Sequence, residues 1–294
     1  MKIVNRNSIL IMMSILIISC TKPLDIDIPQ TKPKLAIFSQ IIPNQIVAIT
    51  VTRSFTALTD IVSSTSPDNS LKGVLVSRAL VTISHNQITD TLKKLTDGLY
   101  GALNISLLVG ENYELNVWDS TSGEHINSFA KVLPIVEDSL KINVTRNVSD
   151  TSYSINIKMK DNPVVDEYYY FNVSNLGKND LLNQASTFFS TVNSNRNFIL
   201  TTDKEAINGF VQKEYLSGSN TENLLTSTNK DSVSIVVASI SKDYYDFLNA
   251  YQKGNSFFAQ IFGEPINYPS NINNGVGIFT AHLPKFYFID LKDY

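Results

Sequence analysis

The sequence predicts a mostly β protein, in which an antiparallel sandwich is followed by a second, larger β-sandwich domain with one or two short helices. In many short segments apolar residues recur at every second position, as expected of strands that are buried on one face. Turn-forming stretches separate these segments, for example SSTSPDNS at 63–70 and KLTDGLYG at 94–101. Between residues 35 and 135 no amphipathic helical pattern intervenes, which favours sheet packed on sheet.

The first 19 residues have the composition of an export signal. Lys2 and Arg6 precede an apolar run over 9–18 that only Ser14 interrupts. A positive region followed by a short apolar region is typical of a signal peptide. As a helix the run would rise about 15 Å, half of the ~30 Å core of a bilayer, so a membrane-spanning segment is not expected.

Cys20 is the only cysteine of the chain, and it lies where the apolar run has just ended. Ile17, Ser19 and Cys20 together resemble the lipobox of bacterial lipoprotein signal peptides. This resemblance implies cleavage after Ser19 and attachment of lipid to Cys20, with acyl chains such as palmitate inserted in a membrane. The alternative is an ordinary signal peptide with a cysteine that arose by chance, although a lone cysteine in an exported chain has no disulfide partner.

Residues 20–34 are predicted to form a tether after the lipidated cysteine. The segment contains three prolines and scattered charges. Proline-rich chains favour extended conformations of ~3.1 Å per residue, which gives a reach of up to about 40 Å.

The charge balance argues against nucleic acid as a partner. The formal net charge is −3, and removal of residues 1–19 takes away Lys2 and Arg6 and no acid, which leaves −5. An acidic chain without clusters of lysine and arginine lacks the electrostatic footprint of a nucleic-acid-binding protein.

The range 35–135 is predicted to be the first domain, an antiparallel sandwich of the immunoglobulin-like or transthyretin-like kind. Its clearest strands are QIVAITVTRS (45–54), ALVTIS (79–84) and NYELNVWD (112–119), each with one apolar and one polar face. Short strands of this kind at regular spacing are typical of sandwiches.

The range 136–294 is predicted to be the second domain. Strands are expected within TSYSINIKM (151–159), EYYYFNVS (167–174), DSVSIVVASI (231–240), GVGIFTAHL (275–283) and KFYFIDLK (285–292). One helix is predicted near 241–253, because Tyr244, Phe247, Leu248 and Tyr251 recur at helical spacing after Ser241, a suitable N-cap.

No residue pattern identifies a reaction. His85, His125 and His282 lack a second ligand at metal spacing, and the S-x-x-K pattern at Ser128/Lys131 and Ser227/Lys230 is short enough to arise by chance. The first of these pairs falls on a predicted strand, where side chains three residues apart point to opposite faces. We therefore expect no enzyme activity, no catalytic residues, no cofactor and no metal.

Two groups of acidic residues leave an alternative open. They are Asp161, Asp166 and Glu167 in one segment, and Asp203 and Glu205 in another. Such carboxylates are either solvated turns between strands or oxygen ligands of the kind that Ca²⁺ prefers, but they lack regular calcium-loop spacing.

Three aromatic side chains are the candidate ligand-binding residues. Trp118, Tyr168 and Tyr170 could stack against a sugar or a peptide, because flat rings with polar tips suit such ligands. The alternative for the run 168–171 is core packing, since alternation along a strand sends Tyr168 and Tyr170 to one face and the other two rings to the opposite face. The alternative for Trp118, at the end of a predicted strand, is a rim position in the sandwich.

Several segments carry a family resemblance when they are taken together. They are VTRSF (51–55), GENYELNV (110–117), KDNPVVDEYYYFNV (160–173), SISKDYYDFLNAYQ (239–252) and, most specific, FGEPINYPSNINNGVGIFTAH (262–282). With the cysteine they resemble a family of outer-membrane lipoproteins from Bacteroidota that is described as a domain of unknown function. Genes of that family commonly lie beside those of TonB-dependent receptors.

The resemblance implies a function and partners but no catalytic residues. It implies a lipoprotein anchored in the outer membrane through acylated Cys20, with the cell-surface face favoured over the periplasmic face. It also implies a ligand- or partner-binding accessory of a TonB-dependent nutrient transporter, with a small ligand, a glycan or a peptide as the bound molecule. The alternatives are an adhesin or envelope-structural lipoprotein without a transport role, and a hydrolase whose site is assembled from distant residues.

Overall fold

The computed structural model describes residues 32–43, 45–54, 74–103, 105–134, 140–146, 153–160, 166–176, 198–216, 232–254 and 268–290. One compact unit comprises Pro33–Phe55 and Thr59–Tyr294 and contains every element described below. A second unit, Met1–Lys32 with Thr56–Leu58, lies almost entirely outside the described residues, as do the predicted signal peptide and most of the predicted tether.

The described residues form sixteen strands and one α-helix. The strands are β1 (Leu35–Ile41), β2 (Val47–Arg53), β3 (Ala79–His85), β4 (Ile88–Thr91), β5 (Lys93–Thr96), β6 (Leu99–Ala102), β7 (Asn112–Asp119), β8 (His125–Lys131), β9 (Lys141–Arg146), β10 (Tyr153–Lys160), β11 (Tyr168–Leu176), β12 (Phe198–Thr202), β13 (Phe210–Leu216), β14 (Ser232–Ile240), β15 (Val276–Ala281) and β16 (Lys285–Asp290). The helix α1 is Lys242–Gly254. Every strand named in the sequence analysis is present, and the mostly β, sandwich-type fold is confirmed.

Two sheets enclose the first hydrophobic core. One has the strand order β15-β1-β2-β6-β5, and the other has the order β4-β3-β7-β8. Their facing sides alternate as the sequence predicts, and the buried members include Ile37, Ile49, Val51, Ile83, Leu115 and Val117. Burial of these aliphatic side chains, each worth about 1.5–3 kcal/mol, is the main force that holds the two sheets together.

Two further sheets enclose the second core. Their strand orders are β13-β10-β9 and β12-β11-β14-β16. Ile155, Ile157 and Met159 of β10 face Tyr169, Phe171 and Val173 of β11 across this core. The strict alternation in YSINIKMK explains why β10 has one buried and one solvent-facing side.

A third core lies on the opposite side of strands β11 and β14. It contains Tyr170, Val236 and Ala238 from this sheet, Tyr244 and Leu248 from the helix, and Ile278 from β15. Strand β14 is consequently buried on both faces, which fits its sequence SVSIVVASI, where both alternating sets consist of apolar or small residues.

The helix begins where the sequence predicts. The backbone N–H of Tyr244 donates to Ser241 Oγ over 3.3 Å, and the N–H of Tyr245 donates to the Ser241 carbonyl over 2.9 Å. Ser241 is therefore the N-cap, and the helix predicted near 241–253 is confirmed.

Among the described strands, one pair departs from the antiparallel pattern. Strand β15 runs parallel to β1, with Ala36 opposite Val276 and Ile41 opposite Ala281. A strand from the range 136–294 thus extends a sheet of the range 35–135, and Phe279 and Ala281 are buried in the first core. The division into two domains at residue 135 stays a prediction. In the described part of the chain no helix has the length and hydropathy that crossing a membrane requires.

Candidate functional site

The outer face of the β4-β3-β7-β8 sheet presents an exposed aromatic side chain. Strand pairing places Leu80 of β3, Trp118 of β7 and His125 of β8 side by side in one row. Trp118 is 51% exposed and Leu80 is 48% exposed. This row therefore offers an apolar surface to solvent at the centre of a sheet.

The neighbouring row on the same face is polar. Thr82, Asn116 and Asn127 lie side by side there, and each is half-buried. Leu80, Thr82, Asn116, Trp118 and His125 line a shallow depression of about 360 Å³. We call these five residues the Trp118 face.

The alternation of β7 creates this face. Tyr113, Leu115 and Val117 are buried in the first core, so Asn116 and Trp118 must point to the opposite side. The sequence NYELNVWD thus places its one tryptophan among polar residues on the outer side of the sheet.

The end of β7 next to Trp118 is held by a buried carboxylate. Asp119 is 1% exposed and pairs with Arg53 of the facing sheet, whose Nη1 also lies 2.6 Å from Glu124. Burial alone would raise the pKa of Asp119, but hydrogen bonds from Thr121 and Ser122 and the charge of Arg53 lower the pKa below its usual value. The ionised carboxylate therefore links the two sheets beneath the Trp118 face.

The two rows of the Trp118 face contain no acidic, lysine or arginine side chain. Glu114 lies one row further along β7, opposite Ser84, and Arg78 precedes Leu80 by two residues. The depression thus combines an indole and an aliphatic side chain with hydroxyl, amide and imidazole groups. Such a set can bind a neutral ligand that has both apolar and hydroxyl surface.

The other two candidate aromatic residues lie away from this face. Tyr170 is 2% exposed and stacks on Phe198 with ring centroids 5.4 Å apart. Tyr168 is half-buried and packs against Tyr245 of the helix at 5.1 Å. The structure therefore does not bring Tyr168 and Tyr170 together with Trp118, and Tyr170 belongs to the third core.

A second depression of about 410 Å³ lies between the edges of the first two sheets. Ile46, Leu95 and Leu103 line it and are 55%, 57% and 75% exposed. Lys93 and Asp90 are also in its lining, so the surface is apolar with a charge of each sign.

The two acidic segments meet in space, and their side chains have structural partners. Asp203 Oδ2 accepts a hydrogen bond from the backbone N–H of Glu167 over 3.1 Å, and the Tyr169 hydroxyl donates to Glu167. Glu205 pairs with Lys213. Within the described ranges no three His, Cys, Asp or Glu side chains lie close enough together to hold a metal ion.

The S-x-x-K pattern on β8 does not form a catalytic pair. Ser128 is buried and donates to the Asn271 carbonyl over 2.8 Å, whereas Lys131 is exposed. The two side chains face opposite sides of the sheet, as predicted. Ser227, Lys230 and Asp161 lie outside the described residues, as do the predicted cleavage residue Ser19 and the predicted lipidation residue Cys20.

A protein-family model described as "Domain of unknown function (DUF4249)" matches residues 21–285. The chain belongs to the DUF4249 family. No curated protein matches the sequence. Among solved structures, the crystal structure of pullulanase complexed with maltotriose from Anoxybacillus sp. LM18-11 matches with 6% identity and a TM-score of 0.19. The match covers 69% of this chain and 24% of the pullulanase chain, and at this TM-score it carries no argument.

The segment 262–282 has a structural role in its described part, 268–282. The Asn271 side chain donates to the Phe279 carbonyl over 2.7 Å and accepts from the Phe279 N–H over 2.9 Å. Gly277 has φ +109°, and a Cβ there would lie 1.9 Å from the Ile37 carbonyl oxygen. The asparagine thus pairs with backbone groups of β15, and the glycine permits the close approach of β15 to β1, which explains both residue types without a ligand.

Sequence reasoning missed most of the partners of Trp118. Leu80, Thr82, Asn116 and His125 lie on three strands, and their proximity depends on strand register. The polar side of each alternating segment was visible in the sequence. The pairing of β3 with β7 and of β7 with β8 was not, so the face as a whole was not predictable.

Proposed function

We propose that this DUF4249 protein is a lipid-anchored binding protein of the outer membrane and an accessory of a TonB-dependent nutrient transporter. The observation that supports binding is the Trp118 face. A half-exposed indole on the central strand β7 has apolar and hydrogen-bonding neighbours on both adjacent strands. Rigid scaffolds with such convergent groups are typical of binding sites.

Binding is favoured over catalysis by what the polar side chains contact. The buried carboxylate Asp119 pairs with Arg53, and the carboxylates of 167 and 203–205 have structural hydrogen bonds or ion pairs. A hydrolase would need a nucleophile or an acid–base pair within hydrogen-bond reach. The Trp118 face contains His125, but neither of its two rows contains a carboxylate that could act with this histidine as an acid–base pair.

The anchor in this proposal is Cys20. The lipobox-like residues Ile17, Ser19 and Cys20 support lipidation after cleavage at Ser19, and two or more acyl chains hold a protein stably on a bilayer. The proline-containing segment 20–34 would then separate the folded unit from the lipid. We place the protein on the cell-surface side in preference to the periplasmic side.

The partnership with a TonB-dependent receptor rests on the resemblance to Bacteroidota outer-membrane lipoproteins. In this proposal the receptor is the transporter, and the lipoprotein captures a ligand or hands it over. The lipoprotein binds the ligand, and the receptor carries out its uptake.

A deletion strain tests the transport role against the adhesin alternative. We expect the strain to grow more slowly on the nutrient that the neighbouring receptor imports and to attach to surfaces as the parent strain does. Loss of attachment with normal uptake would contradict the proposal and favour an adhesin or envelope-structural lipoprotein.

The anchor has its own test in mass spectrometry of the mature N-terminus. We expect the chain to begin at Cys20 and to carry a diacylglyceryl group on the cysteine sulfur. In a Cys20→Ser variant the lipid should be absent, and the protein should no longer be found in the outer-membrane fraction. An unmodified Cys20 in the mature protein would remove the basis for the proposed localisation.

A further inference from the structure

We infer that the Trp118 face binds the ring of a neutral saccharide. This inference deepens the proposed function, on which it rests, because it names the class of ligand. Its basis is the set of side chains that strand register brings together: an exposed indole, an aliphatic neighbour, and a parallel row of hydroxyl and amide groups.

The indole provides the stacking surface. Trp118 is 51% exposed and has Leu80 and His125 as its cross-strand neighbours. The face of an aromatic ring carries partial negative charge, and the C–H groups on one side of a pyranose carry partial positive charge. A sugar ring stacked on Trp118 would therefore bury apolar surface and gain this electrostatic contact.

The second row provides hydrogen bonds of both polarities. The Asn116 amide has two donor hydrogens and an acceptor oxygen, and the Thr82 hydroxyl can donate or accept. Sugar hydroxyls likewise donate and accept, so they can pair with these groups in several orientations. His125, at the end of the first row, adds a further donor or acceptor.

The absence of charge on the Trp118 face favours a neutral sugar. Neither of the two rows contains Asp, Glu, Lys or Arg, and the flanking charges are Glu114 one row away and Arg78 two residues before Leu80. A ligand with a formal charge would lose hydration in the depression, and no Asp, Glu, Lys or Arg side chain is part of its lining. The volume of about 360 Å³ suits one or two sugar rings rather than a larger ligand.

Strand addition by a peptide does not fit this face. Strand β7 pairs with β3 on one side and with β8 on the other, so its backbone N–H and C=O groups are already used. A peptide that binds by extending a sheet needs a free edge. The outer edge of β8 is also partly used, because the Asn273 N–H donates to the Asn127 carbonyl of β8 over 2.8 Å.

The chain contains one tryptophan, so its intrinsic tryptophan fluorescence reports on this face alone. We would titrate the full-length lipidated protein in detergent with neutral hexasaccharides of glucose, mannose, xylose and galactose in α and β linkages. Tetra-alanine serves as the peptide probe. We expect at least one saccharide to shift the emission with a saturable isotherm, and tetra-alanine to leave it unchanged.

Variants locate the binding. By calorimetry, Trp118→Ala should weaken binding of that saccharide at least tenfold, and Asn116→Ala should weaken it about threefold to tenfold. The matched control is Phe129→Ala, because Phe129 is 57% exposed on the same face but two rows from Trp118. Its affinity should stay within twofold of that of the parent protein.

Three results would overturn the inference: no emission shift with any saccharide, a saturable shift with tetra-alanine only, or unchanged saccharide affinity in Trp118→Ala. Co-purification with a receptor is measured separately on the parent and Trp118→Ala proteins. A receptor that co-purifies when no saccharide binds would reject the saccharide inference alone. Saccharide binding without any co-purifying receptor would reject the transporter role alone.

Discussion

Gly277 is a residue whose identity follows from the space around it. Its φ of +109° lies in a region that other residues rarely adopt, and a Cβ would meet the Ile37 carbonyl oxygen at 1.9 Å. We expect Gly277→Ala to lower the free energy of unfolding by more than about 3 kcal/mol, since backbone strain adds to separation of β1 from β15. Urea unfolding followed by circular dichroism measures this change.

Gly123 is the matched control for Gly277. It also has a positive φ, +74°, but a Cβ there would meet nothing within 4 Å. Gly123→Ala should therefore cost only the conformational penalty of about 1–2 kcal/mol. If both variants lost the same stability, close approach to Ile37 would not be the reason for the glycine.

His282 should make stability depend on pH. The side chain is fully buried and stacks on Tyr244 with ring centroids 5.7 Å apart. Burial lowers the pKa of His282 to about 3. Above the unfolded-state pKa of ~6.5 the imidazole is neutral in both states, so its full contribution to stability is present there.

Below pH 6.5 the unfolded chain binds a proton that the folded chain does not, and stability falls until the pH approaches the folded-state value. We expect this residue alone to lower the free energy of unfolding by about 1.6 kcal/mol between pH 6.5 and pH 5. Unfolding curves at several pH values measure the slope. The loss of stability between pH 6.5 and pH 5 should be smaller by this amount in His282→Phe, whereas His125→Gln should lose as much stability as the parent protein. If the stability of His282→Phe fell with pH in parallel with that of the parent, the assignment to His282 would be contradicted.

Single residues were predictable from the sequence where local chemistry decides them. Ser241 caps the helix, because a hydroxyl directly before a helical pattern has few other roles. Tyr170 was ambiguous, since the alternation that places it on one side of β11 does not reveal that the helix region covers that side.

At the level of elements, strand β15 pairs with a strand, β1, on one edge only, and the Asn271 side chain forms further hydrogen bonds to its backbone. Asn271 makes two hydrogen bonds to the backbone of Phe279, of 2.7 and 2.9 Å. Phe279 is fully buried, so loss of these bonds would leave backbone groups without partners at a cost of about 1–3 kcal/mol each.

We therefore expect Asn271→Ala to lower the free energy of unfolding by about 2–4 kcal/mol. Hydrogen exchange followed by mass spectrometry should show faster exchange in the peptide that contains Phe279. Asn143→Ala is a suitable control, because Asn143 is exposed on β9. Unchanged exchange at 276–281 in the Asn271 variant would show that the side chain is not what holds the strand.

Strands with one buried face were predictable, and strands without one were not. Strands β2, β7 and β10 alternate in sequence and in burial. Strand β5 is exposed along its whole length, and β4 is nearly so, so neither carries a periodic signal. Both are short edge strands, and each is held by pairing to one neighbouring strand rather than by burial of a face.

At the level of the whole molecule, distant pairing determines how the sandwiches are built. Strand β15 joins β1 across most of the chain, with Ala36 opposite Val276. The buried pattern of β15 predicted a strand, but a pattern does not specify its neighbour. The Trp118 face was unpredictable as a unit for the same reason, because it needs the register of three strands.

The proposed role depends on association with a receptor. The most direct measurement is purification of the C-terminally tagged, lipidated protein from gently solubilised outer membranes, followed by identification of the proteins that accompany it. We expect a large TonB-dependent β-barrel to co-purify in near-equal amount and to stay bound in the Trp118→Ala variant. Recovery of the lipoprotein alone in repeated purifications would contradict the proposed function.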